Sequence, residues 1–164
     1  MIKAFVATGC ALALTGCVSL SRSSAVEALA PDVAANARVT EIKLITAPGV
    51  KVTPEFEAVF RQHVQAKLDG CFRGQRPVRL EAEIERLDKA NPVLTAVVAG
   101  SNVLRGGARL VDLQTGVAIA DYKVGKTVVG GRFAVVVMAQ AEEQLSDAFG
   151  EELCKQAFST VSKK

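Results

Sequence analysis

Tryptophan is absent from the 164 residues, tyrosine and histidine occur once each, and aromatic residues make up only 5% of the chain. Val, Leu, Ile and Ala must therefore build the core. With one histidine there is no dense metal-ligand cluster, and a Ser-His-Asp or Cys-His site would have to use His63. Excess charge is also missing. The net charge is +3, and +2 without Lys3, far from the strongly basic face that nucleic acid requires. No cofactor and no nucleic-acid partner is expected. One further absence is local: no charged residue occurs between Lys3 and Arg22.

That uncharged stretch contains "TGCALALTGCVSL", residues 8–20, with Thr-Gly-Cys twice. An N-terminal cation, an apolar run of about 7–15 residues and a small-residue cleavage site make an export signal. Cys17 leaves Ala4–Leu14 as the apolar run, whereas Cys10 follows Lys3 too closely. Leu14-Thr15-Gly16-Cys17 resembles a lipobox, and Ala7-Thr8-Gly9-Cys10 lacks the large leading residue. We expect residues 1–16 to be a signal peptide and Cys17 to carry acyl chains, palmitate among them, as the membrane anchor. One chain binds only marginally, while two or three hold permanently. The alternatives are an uncleaved membrane helix, which needs about 20 strongly apolar residues, and an ordinary secretory signal cut at Ala11-Leu12-Ala13. Residue 18 is Val and not the retaining Asp, so the expected location is the outer membrane, with the domain in the periplasm.

Of four cysteines, Cys71 and Cys154 are left to the mature domain. In an oxidising compartment they suit a disulfide. It would close a loop worth about 4.5 kcal/mol in the chain-entropy model; two buried free thiols are the alternative.

Along the mature chain, residues 17–37 combine the lipidated cysteine with a Ser- and Ala-rich stretch broken by Pro31, expected to be a flexible tether. Extended, its last 20 residues would reach about 70 Å, and as a coil about 25 Å. Residues 38–164 are expected to form one periplasmic domain. "RVTEIKLIT" (38–46) alternates as a strand. Thr53-Pro54 opens a helix, with Phe56, Phe60, Val64 and Leu68 on one face down to Gly70. "PVRLEAEIERL" (77–87) fits either period, but strict alternation after a proline favours a strand. Two apolar runs around Asp112–Gly116 predict a hairpin. A second helix is expected from about Ala139 to Val161. Residues 90–101 are left unassigned. The expected fold is α+β: an antiparallel sheet of about four strands with two helices on one face, in the order β-α-β-β-β-α.

Gly125-Lys126-Thr127 mimics part of a P-loop, but the leading glycine is replaced by Ala120 and the context is a strand. Lys126 is expected to be an exposed strand residue. His63 is expected at the edge of an apolar helix face. Glu81, Glu83 and Glu85 project from one strand face about 7 Å apart, a separation some glycosidases use. An open face does not raise a carboxyl pKa as acid catalysis needs, so these are read as solvated. Arg73, Arg76 and Arg79 form a basic patch, read as a solvated loop or as a partner contact. Glu143, Asp147 and Glu151 recur at i, i+4, i+8, a repulsive row that hints at a basic partner, this same patch included.

"RLEAEIERLDKANPVL" followed by "ARLVDLQTGVAIADYKV", with the D-x-x-T-G turn at Asp112–Gly116, resembles bacterial lipoproteins of domain of unknown function family 4410. The resemblance spans residues 38–160. It departs at "AVVAGSNVLRGG", which lacks the family's aromatic residue. More distantly the element order is similar to the periplasmic domains of the curli-secretion lipoprotein and of the lipoprotein activator of penicillin-binding proteins. The resemblance implies an envelope location and an α+β domain, and no agreed activity.

These observations together point to a non-enzymatic envelope lipoprotein that binds another protein or copies of itself. The first alternative is a subunit of a homo-oligomeric secretion channel, for which residues 93–110 and 124–138 are the candidate spanning strands. The second is a periplasmic hydrolase using the Glu81–Glu85 face.

Overall fold

The structure is a computed structural model and describes residues 18–131 and 138–159. Cys10 and Cys17, with the whole expected signal peptide, lie outside the described residues. One sheet contains six strands, β1 (Val18–Ser21), β2 (Ser24–Glu27), β3 (Ala37–Thr46), β4 (Arg76–Asp88), β5 (Gly100–Asp112) and β6 (Ala118–Gly130). Its spatial order is β1-β6-β5-β4-β3, and β2 also pairs with β6. Four helices are described: α1 (Pro31–Asn36), α2 (Phe56–Cys71), α3 (Pro92–Val97) and α4 (Ala141–Phe158).

The expected β-α-β-β-β-α order is present as β3-α2-β4-β5-β6-α4, but the sheet is larger than four strands and is mixed. β3 runs parallel to β4, Val39 opposite Val78 and Thr46 opposite Ile84. The helical crossover α2 makes this possible, because parallel strands need a long connection. Other pairs are antiparallel.

The stretch expected to be a tether is the largest difference. Val18 pairs opposite Val129 and Ser21 opposite Lys126, while Ser24 lies opposite Lys123. Pro31 begins α1 instead of interrupting a coil. Leu29 then closes the core, its N–H donating to the Tyr122 hydroxyl at 2.9 Å. Residues 18–37 are therefore part of the fold, held by a backbone ladder with few buried side chains.

Burial alternates along β4 and β6, so that Leu80, Ala82, Ile84, Ala120, Tyr122 and Val124 face the helices. From α2 come Phe56, Phe60, Val64 and Leu68, and from α4 Leu145, Phe149 and Leu153. Phe60 and Phe149 meet edge to face at 5.1 Å between ring centroids. α2 ends by a disulfide from its last residue, Cys71, to Cys154 in the C-terminal third of α4. Tyr122 is fully buried; burial pushes its pKa up against the opposing Leu29 N–H.

Local starts and stops differ in detail. α2 begins two residues after Pro54, with Thr53 O accepting from the Phe56 N–H, and Gly70 lies inside the helix. Residues 90–101 contain α3, where Asn91 Oδ1 caps the Val93 and Leu94 N–H groups. α4 stops at Phe158; residues 160–164, and so Val161, lie outside the described residues. The hairpin turn is as expected: Gly116 has φ +72°, and Asp112 Oδ1 accepts from Gln114 and Thr115 N–H groups.

Of the stretches considered as spanning strands, 93–97 is α3, while 100–110 and 124–130 are strands of this sheet; residues 132–137 lie outside the described residues. No described helix is long and apolar enough to cross a membrane.

Candidate functional site

The end of the sheet that follows residue 17 is fixed by polar groups buried in the core. Lys126, on the core side of β6, donates to Glu152 of α4 at 2.8 Å, with 8% and 2% of the side chains exposed. Ser21 of β1 and Lys155 also donate to this carboxylate. Burial would raise the Glu152 pKa; hydrogen bonds from Lys126, Ser21 and Lys155 outweigh it and hold the pKa at about 2. Lys126 is thus not the exposed residue expected. Residues 120, 122 and 124 face the core, and the same period-2 count puts 126 there too.

Nearby, Asn102 is fully buried. Its Oδ1 accepts the Ala90 N–H at 2.8 Å, and its Nδ2 donates to Gln144 Oε1 at 3.0 Å. It therefore ties the loop before α3 to the first turns of α4. Glu142, in the first turn of α4, makes a similar link, accepting from the Thr53 N–H and hydroxyl and from Lys89. Burial acts upward on its pKa, but these three donors bring it below the ordinary value.

The basic patch does not act as one unit. Arg73 is exposed. Arg76 is paired with the fully buried Asp112, whose carboxyl is held low first by the Thr115 N–H, against burial, and then by Arg76. Arg79 lies between Glu81 at 3.0 Å and Glu41 at 3.7 Å. Nor does the acidic row of α4 face this patch. Asp147 meets His63 at 3.1 Å and Lys67 at 3.7 Å, and Glu151 meets Lys67 at 2.9 Å. The Glu151 hydrogen bond, working against burial, raises the Lys67 pKa. Asp147 and Glu151 of the i, i+4, i+8 row thus pair with basic residues of α2 in the same chain, while Glu143 is exposed on the same helix. His63 sits half-buried beside Phe60 and Val64, at the edge of the apolar face.

Glu81 is occupied by Arg79, Glu85 by Lys123 at 3.2 Å, and Glu83 is exposed. No group of three or more His, Cys, Asp or Glu that could hold a metal occurs among the described residues. What the sequence did not reveal is an edge. Among the described residues no strand pairs with the outer side of β3, and α2 runs beside it. Between them lies an open groove of about 790 Å³, lined by Thr40, Ile42, Lys43, Arg61, Gln65 and Arg79 among others. Gln65 Nε2 donates to the Val39 carbonyl at 3.0 Å, so one backbone acceptor of β3 already takes a donor from the groove wall.

No family model and no curated protein matches the chain, so the family 4410 resemblance gains no support. Among the solved structures that this chain resembles weakly are the following three. The PelC dodecamer from Paraburkholderia phytofirmans is 13% identical, covering 81% of this chain and 98% of that one, with a TM-score of 0.38. A proposed lipoprotein from Caulobacter crescentus is 12% identical over 69% and 84% of the two chains, TM-score 0.43. A DUF330 protein from Xanthomonas campestris is 13% identical over 79% and 91%, TM-score 0.44. At TM-scores this low, these likenesses fix neither the partners nor the assembly of this chain.

Proposed function

We propose that this chain is a membrane-anchored, non-enzymatic module of the cell envelope, held by acyl chains on Cys17, that captures an extended segment of another protein. The observation that carries the binding role is the groove between β3 and α2. An open strand edge presents backbone N–H and C=O groups that an added strand satisfies, and a helix wall supplies side-chain contacts. The wall is mixed in charge: Lys43, Arg61 and Arg79 line it with Glu41, Arg61 is paired with Glu57, and Arg79 with Glu41 and Glu81. Specificity for the segment therefore rests on its backbone and on the apolar and polar contacts of the wall. Arg73 and Arg76 do not line this groove, and Arg76 is committed to Asp112.

Anchoring follows from the lipobox and from β1. Because Val18 is already paired in the sheet, a lipid on Cys17 places the domain directly on the bilayer, with no leash. An outer-membrane location rests on Val18 in place of Asp after the cysteine.

A photo-activated cross-linking residue at Thr40 or Arg61, in intact cells, tests the binding role. The reading expects one discrete protein adduct from these positions and none from Val117 in the β5–β6 turn, across the sheet from β3. Adducts from Val117 with none from the groove would overturn it.

A further inference from the structure

Ten large apolar side chains are exposed among the described residues, and they are not evenly spread. Val93, Leu94, Val97 and Val98, in or next to α3, are 75%, 60%, 61% and 55% exposed, and Val18 and Leu20 of β1 are 59% and 56% exposed. Single exposed apolar residues are ordinary, while a cluster of this kind marks a surface that leaves water.

The register places both groups at one end of the sheet. Val18 lies opposite Val129, and Gly100, two residues after Val98, lies opposite Gly130. β1 and β5 flank β6, so the start of β1 is two strand spacings, about 10 Å, from the start of β5. α3 is folded onto this end: Thr95 is 1% exposed, and a Cβ on Gly100 would meet Thr95 Oγ1 at 2.2 Å. Asn102 fixes the loop that precedes α3.

Among the described residues, charge is absent from the corner formed by β1, the start of β5 and the end of β6, and reappears at its rim, where Asp88 lies opposite Val103 and Lys89 pairs with Glu142. No charged residue occurs in 18–21, in 90–104 or in 127–131. Lys126 faces inward there, buried and paired with Glu152. Valine and leucine pointing outward on an uncharged corner that directly follows residue 17, with charged side chains at its rim, suit the hydrocarbon and headgroup layers of a bilayer.

We infer that this end of the domain, with α3 at its tip, enters the bilayer as a second membrane contact beside the acylated Cys17. The inference rests on the anchoring reading above, since residue 17 directly precedes β1. Its physical basis is that of interfacial segments, in which a small buried apolar face adds to a lipid anchor and fixes orientation. The consequence is a domain standing on the membrane by one end of its sheet, with β5 and β6 running away from the bilayer.

The absence of tryptophan makes the test direct. Leu94→Trp and, separately, Val117→Trp would be purified as full-length protein from membranes and reconstituted into vesicles containing bromine-labelled lipid, with flotation recorded. The expected result is flotation of both, with blue-shifted and quenched emission from Leu94→Trp alone. In a Cys17→Ser background, Val93→Ser with Val97→Ser should weaken vesicle partitioning by roughly tenfold. Flotation with unquenched Leu94→Trp would overturn the membrane contact while leaving the anchor standing. Failure of the Cys17 protein to float would overturn both. Blue-shifted emission from Leu94→Trp without vesicles would show that protein covers α3, and would also overturn the inference.

Discussion

Lys126 Nζ lies 2.8 Å from Glu152 Oε1, and the pair joins β6 to α4 inside the core. Removing one partner of a buried ion pair strands the other without compensation, at a cost of about 3–5 kcal/mol, whereas replacing both by apolar groups is often neutral. Lys126→Met should therefore destabilise strongly, and Lys126→Met with Glu152→Leu should recover most of the loss. Urea unfolding of the wild type, both single variants and the double variant measures this coupling. Additive losses would show that the two side chains act independently.

The same carboxylate sets the acid limit. Its pKa is about 2 in the folded protein against an ordinary 4.5, so its stabilising contribution is complete above about pH 4.5. As pH falls, the unfolded chain binds the proton first, and the contribution of about 3 kcal/mol is lost by about pH 2. Asp112 and Glu142 are shifted the same way. Denaturant midpoints between pH 6 and pH 2 should decline through this window, and Glu152→Gln should flatten the decline. An unchanged slope in Glu152→Gln would contradict the assignment.

The Cys71–Cys154 bridge spans 83 residues. Constraining a loop of that length restricts the unfolded chain by about 4–5 kcal/mol. The double Cys71→Ala/Cys154→Ala variant should unfold at a clearly lower denaturant concentration, and reductant should shift the wild type but not the variant. Equal midpoints for oxidised and reduced wild-type protein would show that no bridge contributes.

Gly150 marks the close crossing of α2 and α4. A Cβ there would lie 2.7 Å from Lys67 Cβ and 3.3 Å from the Val64 carbonyl, backbone-near atoms with little freedom to yield. Gly150→Ala gains helix propensity of about 1 kcal/mol but overpacks the crossing by about 1–3 kcal/mol. A net loss in melting temperature is expected, larger for Gly150→Leu; a rise would mean that the helices separate freely.

The elements legible in the sequence are those written in side-chain periodicity. Phe56, Phe60, Val64 and Leu68 mark α2, strict alternation after Pro77 marks β4, and Asp112 with Gly116 marks the hairpin. β1 and β2 are invisible there because their exposed side chains carry no pattern, and their hold on β6 is through the backbone. The parallel pairing of β3 and β4 is equally hidden, since alternation reveals faces and not direction. Lys126 is a conflict of two signals: its position in register with Tyr122 and Val124 points inward, and its charge argues the other way. The β3–α2 groove depends on which strand ends at the edge, which only the assembled sheet determines.

The most direct test of the anchored-module account is the intact mass of the protein extracted from the membranes of a bacterial host. The account predicts a chain that begins at Cys17 and carries the added mass of its acyl chains, a mass that Cys17→Ser does not carry. A chain beginning at Met1, or one cut near Ala13 without added lipid, would contradict it.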